Sequence, residues 1–186
     1  MARGSLAPAG SVERMPLIVP FNGSSPVVAD SAWVAPNATL VGEVTIHEQS
    51  SVFYGSVLRA DTASITVGVG SNLQDNVTVH CDPGVPTAVG AGVSVGHAVT
   101  LHGCTIEDDC LIGMGATVLN RAVIGTGSLI AAGSVVLEGT IVPPRSLVAG
   151  VPGKVRRAVT DDELVGIRDN AQHYLRHAEA HRKANS

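Results

Sequence analysis

The stretch IEDDCLIGMGATVLNRAVIGTGSLIAAGSVVLEGTIVPPRSLV, residues 106–148, decides the fold. Within it Ile106, Ile112, Val118, Ile124, Ile130, Val136, Val142 and Val148 recur every six residues without a slip. The same spacing extends backward through Val89, Val95 and Leu101, through Val67, Leu73 and Val79, and through Val34, Leu40, Ile46, Val52 and Leu58, with slips only between runs. An amphipathic helix repeats near 3.6 residues and an alternating strand at about two, so neither produces this pattern. Each hexapeptide is therefore one short side of a coil, and three sides make a turn of about 18 residues. Turns stack roughly 4.8 Å apart with parallel backbone hydrogen bonding, and the inward Val, Ile and Leu form one continuous core. A β-sandwich would give irregular turn intervals and does not fit.

Four residues after these apolar positions stands a compact residue suited to a tight inner corner, as at Ala38, Val44, Ser50, Ser56, Cys110, Ala116, Ala122, Ser128 and Ser134. Glycine often follows the apolar position directly, at Gly68, Gly90, Gly96, Gly113 and Gly125, where bending next to a short strand tolerates no bulk. Composition agrees with a narrow core of small and β-branched side chains: 45% of the 186 residues are hydrophobic but only 3% aromatic. The net charge of -4, with basic residues mostly scattered and Arg156 and Arg157 adjacent, leaves no stripe for nucleic acid. The longest apolar run, Leu129 to Leu137, has a glycine inside it and is far too short to span a bilayer.

Residues 1–14 are rich in Ala, Gly and Ser, lack the apolar stretch of a secretory signal, and read as a disordered extension. The coil is expected over 15–158. Thr160 and Glu163 then make a capping box, and Leu164, Ile167, Ala171, Tyr174, Leu175 and Ala178 recur at helical spacing. A helix within 159–186, from about Thr160 to about His181, should pack along the prism. Three cysteines, Cys81, Cys104 and Cys110, lack metal-finger spacing and favour a reducing, cytoplasmic compartment.

Counting sides places the polar residues. If the slips bulge outward at corners, Leu58, Val79 and Leu101 begin the same side on consecutive turns. Arg59, His80 and His102 each follow one of these and form an outward column, with the two histidines one rung apart. Asp75 and His97 form a second column on another side, with Gln74 next to Asp75. Two imidazoles on adjoining rungs can reach one ion at the roughly 2.0 to 2.1 Å of a zinc–nitrogen bond. His97 leaves a different face of the prism, so all three converge only if prisms associate head to tail about a three-fold axis, with sites between subunits.

From about Val34 to Lys154 the chain resembles the gamma-class carbonic anhydrase group of the left-handed hexapeptide-repeat superfamily. The residues that carry the resemblance are Arg59-Ala60-Asp61, Asn72-Leu73-Gln74-Asp75, His80, Gly96-His97 and Leu101-His102-Gly103-Cys104. The resemblance implies a left-handed coil, against the usual right-handed crossover. It implies a homotrimer in which His80 and His102 of one subunit and His97 of the next hold zinc, with iron or cobalt as alternatives. It further implies that Arg59 and Asp75 pair across the subunit boundary, that Gln74 orients the reacting solvent, that Asp61 belongs to the same site, and that Tyr174 leans toward the metal. The implied reaction is reversible hydration of carbon dioxide to bicarbonate by a metal-activated water.

Two departures matter. Thr62 stands where the prototype has a glutamate, and the loop after His80 has Asp82 as its one carboxylate, so the acidic groups that export the proton are missing and slow hydration is expected. His173, His177 and His181 repeat every four residues on the helix and read as a solvated face, as does His47 on its own side. Cys104 and Cys110 sit at positions that want small residues, whereas Cys81 beside His80 is a candidate reactive thiol. The rival functions are an acyltransferase using coenzyme A, because Ala149-Gly150-Val151-Pro152-Gly153-Lys154 resembles a turn common to hexapeptide acetyltransferases, and a non-catalytic assembly protein that keeps the metal for structure.

Overall fold

Residues 15–185 are described by a computed structural model, in which the chain is a left-handed parallel β-helix of about seven turns followed by one α-helix. The disordered extension expected over 1–14 lies outside the described residues. Strand pairing follows the hexapeptide count. Face one stacks Leu40, Leu58, Val79, Leu101, Val118 and Val136. Face two stacks Ile46, Val67, Val89, Ile106, Ile124 and Val142. Face three stacks Val34, Val52, Leu73, Val95, Ile112, Ile130 and Val148. From Leu40 onward none of these side chains is more than 3% exposed. Each contributes on the order of 1.5–3 kcal/mol by leaving water.

Corners are built from two successive positions. The third residue after the inward one takes a left-handed backbone conformation at Gln49, Asn76, Ala98, Asp109, Arg121 and Arg145, and at glycines such as Gly133. The fourth is the compact residue seen in the sequence. Where it is serine it is buried and bonded to the adjoining coil: Ser56 Oγ donates to the Gln74 carbonyl at 2.8 Å and accepts from the Val77 N–H at 3.2 Å. The hydroxyl thereby meets the demand that a buried polar group be satisfied.

The glycines that follow inward residues have a different cause from the bending expected. Their φ is not positive; they exist because coils approach closely. A Cβ on Gly113 would lie 2.5 Å from the backbone nitrogen of Ala132 on the next coil.

Among the described residues, the departures from a spacing of six fall at one corner, between faces one and two. Leu58 to Val67 takes nine residues, Val79 to Val89 ten, and Leu101 to Ile106 five. The extra chain therefore gathers beside the column that carries Arg59, His80 and His102. It does not all bulge outward: Cys81 and Thr87 are buried, and Cys81 joins the core. The thiol expected to be reactive is enclosed.

The coil ends in Ser146–Ala149 paired antiparallel with Lys154–Ala158. Thr160 then caps the helix Asp161–Ala184, with both halves of the capping box formed. Ile167, Ala171 and Ala178 are its buried face, lying against face three. His181 is not on a solvated face. Its ring stacks on Trp33 at 5.5 Å, and its Nδ1 lies 2.9 Å from the Tyr54 hydroxyl, so it belongs to the aromatic cluster that docks the helix. His173 and His177 are exposed. Among the described residues no helix is long and apolar enough to cross a membrane.

Candidate metal centre

Thr78–His80 and Thr100–His102 are neighbouring parallel strands, with His80 opposite His102 in register. Because Val79 and Leu101 point inward, the residues that follow both point outward on one flank. His80 Nδ1 and His102 Nε2 come within 2.9 Å of each other. Both rings are largely shielded, at 19% and 29% side-chain exposure. The other nitrogen of His80, Nε2, donates to Asp61 Oδ1 at 2.9 Å. Arg59 donates to the second Asp61 oxygen. Desolvation pushes the Asp61 carboxyl up, but hydrogen bonds from His80 and Arg59 outweigh it and hold the group below its ordinary range. Asp61 is therefore an anion that accepts only, which leaves the lone pair of His80 on Nδ1, facing His102.

The inserted corner completes this side of the site. Asp82 and Val85 form an antiparallel bridge across the turn. Thr87 clamps the two histidine coils together, its hydroxyl donating to the His80 carbonyl at 2.7 Å and accepting from the Gly103 N–H at 2.8 Å. Asp82 Oδ1 lies 4.0 Å from His102 Nε2. Asn120, one coil above, places Oδ1 2.7 Å from His102 Nδ1, and its Nδ2 donates to Asp82 Oδ2 at 2.7 Å. Among the described residues, His80, Asp82 and His102 bring ligand atoms within 4.8 Å of one another. The donors are two imidazoles with converging nitrogens and one carboxylate, a set suited to zinc or another divalent transition metal.

His97 is outside this group. It sits on face three, where its Nδ1 lies 3.0 Å from Asp75 Oδ2 and its Nε2 lies 3.5 Å from the Tyr174 hydroxyl. The His97 side chain is 42% exposed, so it is open to a neighbour. Gln74 is buried, donates from its amide nitrogen to Asn72 at 3.2 Å, and lines a cleft of about 480 Å³ with His97, Tyr174 and Asn170. The half-buried Leu111 and Leu129 add apolar side chains to that cleft. Burial raises the Tyr174 phenol above its ordinary value, and the nearby Asp75 adds to the rise.

The residues singled out in the sequence thus form two groups within one chain. Arg59, Asp61, His80 and His102 meet on face one, while Gln74, Asp75, His97 and Tyr174 meet on face three. Arg59 and Asp75 make no pair within the chain; Arg59 pairs with Asp61, and Asp75 accepts from the Tyr54 N–H at 3.2 Å. Asn120 belongs to the site although no sequence motif marks it. Its one signal is its place 18 residues, one uninterrupted coil, after His102.

A family profile described as bacterial transferase hexapeptide (six repeats) matches residues 103–138. The protein named "Probable carbonic anhydrase" of Methanocaldococcus jannaschii is 48% identical over 153 residues, which is 82% of this chain and 96% of that one. Gamma carbonic anhydrase 2, mitochondrial, of Arabidopsis thaliana is 42% identical over 168 residues, which is 87% of this chain. The chain spans 60% of the length of that plant relative. The crystal structure of a hexapeptide transferase family protein from Anaplasma phagocytophilum superposes with a TM-score of 0.85 at 40% identity, covering 88% of this chain and 97% of that one.

Proposed function

Because the chain belongs to the gamma-class carbonic anhydrase-like family of hexapeptide-repeat proteins, we propose that it is a metal-dependent enzyme that hydrates carbon dioxide reversibly to bicarbonate. Its ligands are His80 and His102 of one subunit and His97 of a neighbour in a trimer. The observation that carries this reading is the approach of His80 Nδ1 to His102 Nε2 at 2.9 Å, with Asp61 holding the opposite nitrogen of His80. Two shielded imidazole nitrogens aimed at one point make half of a metal site, and a third imidazole completes the donor set typical of catalytic zinc. His97 stands exposed on another face of the same chain. A cyclic assembly that sets face three of one subunit against face one of the next supplies it.

When bound, such an ion supplies an activated water at neutral pH. The chain's own residues do the rest. Asp61 fixes the His80 ring, and Asp75 fixes His97 through Nδ1, which leaves the lone pair on Nε2, beside the Tyr174 hydroxyl at 3.5 Å. Gln74, with its amide nitrogen committed to Asn72, offers its amide oxygen to reacting solvent. Arg59 and Asp75 lie on different faces of one chain, so the same cyclic assembly would bring them together as charges that join subunits. Proton export is the weak step. The Thr62 hydroxyl is committed to the Cys81 carbonyl at 2.7 Å, and Asp61 is committed to His80 and Arg59.

The test is metal quantification on the intact assembly, joined to stopped-flow carbon dioxide hydration with and without imidazole buffer. We expect about one divalent ion per chain, loss of that ion in His102→Ala with the coil still folded, and hydration that rises as imidazole carries away the proton. Full metal occupancy in His102→Ala would remove His102 from the ligand set. Metal without any hydration, even in imidazole, would favour a binding or assembly protein.

A second reading rests on the cleft beside His97. Its apolar side chains, Leu111 and Leu129, suit an acyl chain better than carbon dioxide, with His97 as the base of an acyltransferase using coenzyme A. Acetyl transfer by metal-free protein would favour it.

A further inference from the structure

A metal ligand must present a lone pair, so His102 can bind through Nε2 only while its proton stays on Nδ1. The imidazole does not decide this by itself: the His80 lone pair, 2.9 Å from Nε2, draws the proton there, and the group facing Nδ1 has to oppose it. That partner is the Asn120 side chain, 2.7 Å away at Oδ1. An amide is ambivalent. Turned over, it would offer N–H to the ring, draw the lone pair to Nδ1 and move the proton to Nε2, where it blocks the metal. Asp82 removes the ambivalence. Its carboxylate can only accept, and it holds Asn120 Nδ2 at 2.7 Å. The amide nitrogen is thereby committed to Asp82, the amide oxygen to His102, and the proton to Nδ1.

We propose that Asp82 and Asn120 form a positioning relay that locks His102 in the Nδ1–H tautomer and so presets the metal-binding lone pair. The inference rests on the metal reading above. It gives the inserted corner after His80 a purpose: the loop carries Asp82 up to a residue 38 positions later in the chain. Asp61 does the same for His80 in one step. Both rings then converge with lone pairs forward, an arrangement that is repulsive unless a cation lies between them.

Asp82 has a competing role, because its other oxygen is 4.0 Å from His102 Nε2 and within reach of an ion as a direct ligand. The two roles separate by epistasis. Zinc affinity of the intact assembly, measured by competition with a chromophoric chelator, should fall about 10- to 100-fold in Asn120→Ala. Asn120→Asp should weaken zinc as well, because two acceptor-only carboxylates would then meet where Asn120 Nδ2 now donates to Asp82 at 2.7 Å. Asp82→Asn should weaken zinc in the native background but strengthen it in the Asn120→Asp background, where the new amide donates to an aspartate that accepts from His102 in either orientation. Equal weakening in both backgrounds would make Asp82 a ligand and overturn the relay. Nitrogen-15 shifts of His102 in metal-free protein give a second readout: the Nδ1–H form in the native protein and a growing Nε2–H fraction in Asp82→Asn. An unchanged tautomer in Asn120→Ala and Asp82→Asn would also overturn it. Failure of the native protein to bind zinc would sink the metal reading, while the tautomer measurement would still judge the relay.

Discussion

His102 stands directly over His80 in the parallel ladder, and the two side chains meet nitrogen to nitrogen at 2.9 Å. The contact is a product of register. A shift of one residue in either strand would turn one histidine into the core and bring Val79 or Leu101 out. What the site can hold depends on that register and on the way coils stack around it.

If the third ligand comes from a neighbour, two defective chains can repair each other. His97→Ala and His102→Ala should each lack metal-dependent hydration alone. Unfolded together and reassembled in equal amounts, they should recover about a quarter of native activity, because each mixed trimer contains one interface with all three imidazoles intact. Recovery absent from demonstrably mixed trimers would place His97 outside the site.

Glycines at the two kinds of corner position should respond differently. Gly113→Ala places a methyl 2.5 Å from the Ala132 nitrogen, a backbone atom that cannot move aside, and should cost about 1–3 kcal/mol or more. Gly133 has φ +68° but no atom within 4 Å of its missing Cβ. Asn tolerates that conformation, as Asn76 already does at φ 60°, so Gly133→Asn should cost well under about 1 kcal/mol. Denaturant unfolding midpoints measure both, and equal shifts would contradict the close-approach argument.

Helix capping should depend on acid. Hydrogen bonds from Arg157, and then from the Thr160 backbone, hold the Glu163 carboxyl down at about 2, against an ordinary value of 4.5. A depressed folded value means that the ionised carboxylate stabilises the fold above about pH 4.5 and that this contribution disappears as pH falls toward 2. Glu163→Gln should therefore melt earlier than the native protein at pH 7, with the gap closing by about pH 2. Thermal unfolding followed by circular dichroism across that range would reveal a constant gap if the carboxylate had no such role.

The six-residue period makes the coil legible in the sequence, because an inward column must repeat with the coil and Val, Ile and Leu are hard to place elsewhere. It also makes the column of Arg59, His80 and His102 legible, because each directly follows an inward residue of the same side once the slips are assigned to corners. The left-handed corner is not legible. Gln49, Ala98, Asp109, Arg121 and Arg145 occupy it as well as glycine, so no residue type marks it. The place of His181 is hidden for a related reason. Its four-residue spacing from His177 matches a solvated stripe, but the helix docks where Trp33 and Tyr54 receive the ring.

The amino-acid sequence alone determined the repeat, the stacking of the histidines and the helix start, because each depends on spacing along the chain. Tertiary structure decided what spacing cannot encode: that Cys81 is enclosed, that Asp61 meets both His80 and Arg59 within the chain, and that Asn120 and Asp82 meet behind His102. These are contacts between side chains on different coils, fixed by the direction each one leaves the backbone and by the extra chain inserted at one corner. A hydrogen bond needs placement to within a few tenths of an ångström, and only the packed coil supplies it.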